Sequence, residues 1–270
     1  MLETGEEFAA EHNLKFSTDV NPSKCKTKTM AFLKTQRALA NLKLCGNPLP
    51  WTDRCKHLGT TITNKIDGCE EDIRIKNAMY IGKNLELNQE FYFAHPTTKL
   101  RINNIYNSHY TSSPLWNLFG HGALKLESSY NRSVKVMFGL PLESHRYLIE
   151  PLTGMMHIKK VLLSRYLGFI DKIKCSNKKA VKMLMETAKK DVRSVTGHNF
   201  RQIMMLLGKT SVEAVEKNDI NEIEYFPISK EDSWKIDIIK EIIEVKSRTV
   251  EIDNFEENEL DNMLTYLCTS

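Results

Sequence analysis

Four groups of adjacent acidic residues are the first candidates for chemistry in this 270-residue sequence. Carboxylates that converge on two Mg²⁺ ions about 3.5–4 Å apart can catalyse phosphoryl transfer. Each group, however, falls on a predicted helix or in its first turn, where acids interact favourably with the helix dipole. We therefore assign structural roles to all four groups and predict no catalytic residue among them. The groups are Glu6-Glu7, Glu70-Glu71-Asp72, Glu231-Asp232 and Glu256-Glu257.

One segment has the ending of a phosphate-binding loop. Residues 208–210 read Gly-Lys-Thr, but Ile203 occupies the position that this motif reserves for glycine. Gly208 is better explained as a helix C-cap, because glycine readily adopts the left-handed conformation found there.

The six cysteines, at positions 25, 45, 55, 69, 175 and 268, are unevenly spaced and form no C-x-x-C pair. Free intracellular thiols explain this pattern better than the disulfides of a small secreted protein. Cys55, His57 and Cys69 are residue types that bind zinc, but their spacing fits no zinc pattern. We therefore expect this chain to bind no metal and no cofactor.

Charge is distributed unevenly along the chain. Residues 157–201 hold 12 basic and 3 acidic side chains, a net charge of +9 in a chain whose total is +4. Residues 221–270 hold 5 basic and 13 acidic side chains, a net charge of −8. The positive segment suits a polyanion, because phosphates neutralised by Lys and Arg release counterions. A solvated surface of lysine-rich helices explains the same charges equally well.

Composition restricts the class of protein. Hydrophobic residues make up 41% and charged residues 27% of the chain, as is ordinary for globular proteins. No apolar run reaches the roughly 18 residues that span a bilayer, and the acidic N-terminus lacks the apolar core of a signal peptide. We therefore expect an intracellular protein, in the nucleus or the cytoplasm, with no membrane partner.

Hydrophobic periodicity predicts an α+β fold that is predominantly α-helical. After a helix at 2–12, alternating segments such as LKFST, TMAFL and KHLGTTIT predict a short antiparallel sheet between residues 14 and 63, with a hairpin turn at Gly46-Asn47. From Glu70 the apolar spacing becomes helical. We expect Pro114 to kink or split its helix. The further predicted helices are 97–119, 123–138, 157–174, 177–193, 198–207, 232–247 and 255–267.

Several of these segments together resemble a known enzyme family. HNLKFSTDVNPSKCKTKTMAF and GNPLPWTDRCKHLGTTIT resemble the end of the palm of a reverse transcriptase from non-long-terminal-repeat (LINE-type) retrotransposons. Asn21 and Lys24 match its motif D, and His57, Leu58 and Gly59 match its motif E. The opening of the thumb is similar to DIRIKNAMYIGKNLELNQEF. Looser similarity continues through LPLESHRYLIEPLTG, LLSRYLGFIDKI and DVRSVTGHN.

The resemblance implies three domains and a set of nucleic-acid contacts. The domains are a palm remnant at 1–66, a helical thumb and connector at 67–220, and an acidic helical tail at 221–270. Lys24 would lie near the leaving pyrophosphate as a supporting residue, and Gly59 would let the primer end approach the backbone closely. Basic residues of the thumb would hold the duplex backbone without reading its sequence. The implied contact residues are Lys24, Lys26, His57, Gly59, Arg74, Lys76, Lys83, Arg146 and Arg165.

Several of these residues also have a purely structural explanation. Lys24 could be a solvated turn lysine, and Gly59 an ordinary strand glycine next to a bend. The segment 145–147 could contact nucleic acid or brace the following helix. Helical spacing favours core positions over base stacking for the aromatic stretch Tyr106, His109, Tyr110 and Trp116.

The resemblance implies a fragment of an RNA-directed DNA polymerase. In the family the catalytic aspartates precede the part that this chain matches, and the complete enzyme would require Mg²⁺. The chain is therefore expected to be inactive alone while still able to bind RNA or an RNA–DNA duplex. The alternatives are a helical module that binds nucleic acid or protein without enzymatic activity, and a remnant that forms no stable protein.

Overall fold

The computed structural model describes residues 2–19, 21, 24–32, 40–65, 68–107, 110–209, 233–248 and 254–269. These residues form ten α-helices, two short 3-10 helices and two small antiparallel sheets, so the predicted predominantly helical α+β class is confirmed. The chain divides into two compact units, Met1–Asp72 and Ile73–Ser270. None of the helices in the described ranges is both long and apolar enough to cross a membrane.

The first unit contains one helix and two hairpins. The predicted helix at 2–12 is confirmed as α1, Leu2–Glu11. Strands β1, Lys43–Leu44, and β2, Asn47–Pro48, form the first hairpin, and β3, Arg54–His57, and β4, Thr60–Thr63, form the second.

The turns of both hairpins lie where the backbone is left-handed. Cys45 and Gly46 have φ angles of 51° and 76°, so the first turn begins one residue before the predicted Gly46-Asn47. The alternating segment KHLGTTIT is not one strand, because Leu58 and Gly59, with φ angles of 48° and 80°, turn the chain between β3 and β4. Two consecutive residues with positive φ match the twist of a tight hairpin.

The strands predicted from LKFST and TMAFL are wrong. Within the described residues 14–32, the extended pairing is limited to one parallel bridge between Thr29 and Trp51. Other bonds occupy the backbone instead: Asn21 N donates to Asp19 Oδ1 at 2.8 Å within a turn, and Lys26 N donates to Ser17 O at 3.2 Å across nine positions. Side-chain bonds of Asp and Asn favour such turns over a ladder.

Two of the acidic groups have structural partners in this unit. The Asp72 carboxylate is buried in the first turns of α2, Gly68–Glu90, and accepts a 2.8 Å bond from Thr61 N of β4. Glu71 lies 3.8 Å from Arg54, and Glu6 accepts a bond from Cys45 N. These contacts support the structural assignment of both groups. Glu231 and Asp232 lie outside the described residues.

The second unit is helical. Most of the predicted helices are confirmed to within a few residues. The predicted helix 97–119 is split, as expected for Pro114: α3 ends at Asn107, and Pro114 lies in a separate 3-10 helix. The one-turn helix α5 was not predicted. Its helices after α2 are α3 (Pro96–Asn107), α4 (His121–Met137), α5 (Ile149–Thr153), α6 (Ile158–Lys174), α7 (Lys179–Lys190), α8 (Val195–Leu206), α9 (Ser233–Arg248) and α10 (Asn254–Thr269). The 3-10 helices are Ser113–Leu115 and Arg146–Leu148.

Helix ends in this unit follow from local chemistry. The Ser194 hydroxyl caps α8 by accepting from Gly197 N at 2.9 Å. Gly208, with a φ of 61°, follows the C-cap residue Leu207 and ends the same helix, so its predicted role as a left-handed glycine at the helix end is confirmed. Gly197 itself permits a close approach: a Cβ atom there would collide with the carbonyl oxygen of Asp191, which follows α7.

Helix α6 lies at the centre of the core. Its inward face carries Leu163, Tyr166 and Ile170, all almost fully buried, and it packs against the first 3-10 helix, α4 and α7. The Tyr166 hydroxyl donates to Thr196 O at 3.0 Å, which links α6 to the start of α8.

A buried amide links α8 to the segment between α3 and α4. Asn199 is fully buried; its Nδ2 donates to Trp116 O at 2.8 Å, and its Oδ1 accepts from Leu118 N at 3.1 Å. One side chain therefore satisfies two backbone groups that water cannot reach.

We predict that Asn199→Ala lowers the free energy of unfolding by about 2–4 kcal/mol, because a buried donor and a buried acceptor lose their partner. Urea denaturation would measure the loss. The matched control is Asn177→Ala, at an exposed position between α6 and α7, which should change stability by less than about 0.5 kcal/mol. Equal stability of both variants would contradict the assigned role of Asn199.

Candidate nucleic-acid interface

The positive charge of residues 157–201 lies largely on α6 and α7. Ion pairs neutralise part of it: Lys189 lies 2.7 Å from Glu186, Lys160 lies 3.1 Å from Glu150, and Lys174 lies 3.9 Å from Asp171. Five other lysines are exposed: Lys172, Lys178, Lys179, Lys182 and Lys190. We call these five residues the lysine face.

Two depressions beside α6 meet at Tyr110 and Arg165. The first is a cavity of about 260 Å³ bounded by residues of α2, α3, α4 and α6 and of the segment before α6. The second is a groove of about 460 Å³ between α6 and residues 110–114. Arg165 and Lys172 both line the groove, two helical turns apart on α6, so one residue of the lysine face lies in the groove.

The cavity wall is aromatic. The rings of Tyr80 and Tyr130 lie 6.3 Å apart at 30°, and the Tyr110 ring lies 6.4 Å from Tyr80. The Arg165 guanidinium carbon lies 5.9 Å from the centre of the Tyr110 ring, within range of a cation–π interaction. Burial raises the pKa of all three tyrosines, so their phenol groups stay protonated and can donate hydrogen bonds.

A buried ionic cluster lies beside this wall at the start of α6. His157 Nε2 lies 3.7 Å from Glu127 Oε1, and His157 Nδ1 accepts from Lys159 N at 3.4 Å as the cap of α6. Burial lowers the pKa of His157, and this effect outweighs the opposing attraction of Glu127 and Glu150. His157 is therefore neutral in the folded protein at neutral pH.

We predict that the wild-type protein loses stability relative to His157→Asn as the pH falls from about 7 to 5. The unfolded chain binds a proton near the ordinary histidine pKa of about 6.5, whereas folded His157 does so only at lower pH. Asparagine keeps a capping acceptor and does not titrate. Chemical denaturation at several pH values would measure the difference; a wild-type advantage that grows towards pH 5 would contradict the prediction.

Four predicted contact residues lie in the first unit. Lys24, Lys26, His57 and Gly59 are all exposed. His57 ends β3, and Gly59 lies in the following turn, so the expectation of Gly59 within a strand is wrong. The described hydrogen bonds and ion pairs do not link the two lysines with His57 or Gly59.

The other five lie in the second unit. Arg74 is exposed on α2, and Lys76 and Lys83 are half-buried there, with Lys83 Nζ donating to Tyr106 O at 3.5 Å. Arg146 is exposed in the second 3-10 helix. Arg165 lines both the cavity and the groove.

The neighbour of Arg146 has a bracing role. His145 N donates to Cys268 O at 2.9 Å, and His145 Nε2 lies 3.2 Å from Thr269 O, which ties the segment to the end of α10. His145 thus braces α10 and not the following helix, while nucleic-acid contact by Arg146 stays a prediction.

The aromatic stretch divides between core and surface. Tyr110 and Trp116 are buried, which confirms the core assignment, but Tyr106 is 65% exposed, so that assignment is wrong there. His109 lies outside the described residues. Sequence reasoning missed Tyr80, Tyr130 and His157, because each has an ordinary place in a helix or at its cap.

Within the described ranges, no group of three or more His, Cys, Asp or Glu residues is arranged to hold a metal ion. All six cysteines are free thiols.

No protein-family model, curated protein or solved structure matches the chain. Its function must therefore be inferred from its own residues and geometry, together with the motif resemblance.

Proposed function

We propose that this chain binds RNA or an RNA–DNA duplex through the lysine face and the adjoining groove. The observation that carries the proposal is the concentration of cations on two contacting helices, with Arg165 and Lys172 in one groove of α6 and exposed lysines on α7. The motif resemblance supports it, since it makes these helices part of the thumb and connector of a LINE-type reverse transcriptase. The chain is then a fragment of such an enzyme that holds template–primer.

Lysines on a helical face suit the nucleic-acid backbone. Each phosphate that they neutralise releases condensed counterions, which gives affinity without base recognition. Arg165 adds a planar guanidinium, which matches phosphate geometry better than an ammonium group does. Binding is therefore expected to depend strongly on salt and weakly on sequence.

We predict that replacing Lys178, Lys179 and Lys182 by Gln weakens binding to RNA and flattens its salt dependence. Each lost phosphate contact should reduce the slope of log K against log salt by about 0.7 for single strands and about 0.9 for duplex. Fluorescence anisotropy between low and high salt measures both quantities.

The control changes the same net charge elsewhere in the second unit. Lys125, Arg132 and Lys240 are exposed on α4 and α9, outside the lysine face. Replacing these three by Gln should leave the slope close to that of the wild type. Equal effects of the two triple variants would show that overall charge, and not the lysine face, drives binding.

We predict that the purified chain alone does not extend a DNA primer on an RNA template with dNTPs and Mg²⁺. Among the described residues, no group of three or more His, Cys, Asp or Glu side chains could hold the two catalytic ions. Gel analysis of a labelled primer, with an active reverse transcriptase as control, measures extension. Extension by this chain would overturn the proposed inactivity.

Exposed apolar residues on α7 favour a second candidate, a protein-interaction module. Met183 is 62% and Leu184 is 71% exposed, and adjacent exposed apolar side chains are a feature of protein-interaction surfaces. A chain that binds neither single-stranded RNA nor duplex at low salt would favour this alternative.

A further inference from the structure

We propose that the cavity between Tyr80, Tyr110 and Arg165 receives one unstacked base of a single-stranded nucleic acid. The phosphates flanking that base would lie along the groove beside Arg165 and Lys172. This inference rests on the proposed function and adds a base-binding site to it.

Two polar groups on the cavity wall are available to form hydrogen bonds with a ligand. The Tyr110 side chain is only 4% exposed, and its hydroxyl has no hydrogen-bond partner among the described residues. Burying an unpaired hydroxyl is costly, and a ligand atom would supply the partner. Asn104 Nδ2 contacts Met155 Sδ at 2.8 Å, and a thioether is a weak acceptor that a better one could replace.

The remaining wall suits a flat ring. Met155, Met156, Ile158 and Val161 contribute apolar atoms, and the thioether chains can adapt to the ring faces. The volume of about 260 Å³ is just below the range of about 300–1,000 Å³ typical of drug-sized ligands. A single nucleobase fits this size, and it offers both apolar faces and hydrogen-bonding edges.

Arg165 connects the cavity with the groove. Because it lines both, a strand whose phosphate contacts the guanidinium has its attached base at the cavity mouth. Lys172 lies farther along the same groove, where the next phosphates would pass. This second cation favours a strand over a free nucleotide, which has no phosphate to place there.

The test compares a short single-stranded RNA with a strand of the same length that carries no bases, both measured by anisotropy with the full chain. We expect the RNA to bind about tenfold more tightly, as base–aromatic contacts typically allow. Met156→Trp, at a rim position that is 41% exposed, fills the cavity and should abolish this preference while the abasic affinity stays constant.

Two further variants complete the design. Tyr110→Phe removes only the unpaired hydroxyl, so it should reduce the preference for RNA a few-fold without unfolding the protein, as checked by thermal denaturation. Met263→Trp places the same ring on an exposed position of α10 and should leave the preference unchanged.

Each remaining outcome overturns the inference in a distinguishable way. Equal salt-dependent binding of RNA and abasic strand would remove the base site and leave the proposed function standing. Absence of binding to both strands would remove both proposals. Displacement of the RNA by an equimolar nucleoside monophosphate would identify a free nucleotide as the ligand, not a strand.

Discussion

The Asn199 amide is the constraint on which the second unit depends. By bonding Trp116 O and Leu118 N, it holds the end of the segment between α3 and α4 against α8. That segment supplies Tyr110 and the 3-10 helix at Ser113–Leu115, which pack on α6. Both the groove and the cavity have this segment as one wall, so Asn199 anchors the segment that forms this wall although it lines neither depression.

Ionisable groups in the interior of this unit are neutral or paired, whereas those of the lysine face are exposed. At the buried start of α6, the neutral His157 and the Lys160–Glu150 pair limit the cost of placing ionisable groups away from water. On the outer surface, the lysine face remains charged and solvated. An attractive field for a polyanion is therefore compatible with a well-packed helical core, because the two sets of groups lie at different depths.

Sequence patterns predicted the helices better than the sheet or the site. Helices such as α4 and α6 are long enough for apolar spacing to define them, whereas the alternating segments LKFST and TMAFL are only five residues long, and their described residues form one isolated bridge in place of a ladder. Arg165 was named from the resemblance. The cavity could not be predicted from the sequence, because lining residues such as Tyr80 and Arg165 lie more than 80 positions apart. No local sequence pattern indicates that they are close in the fold.

The glycine at position 197 has a geometric consequence for the lysine face. Its missing Cβ lets the start of α8 lie directly against the end of α7, so this close approach and the packing on α6 together orient α7. A helix of twelve residues is about 18 Å long, and a tilt of about 10° moves its far end by about 3 Å. The Gly197 contact therefore helps to determine where the α7 lysines lie.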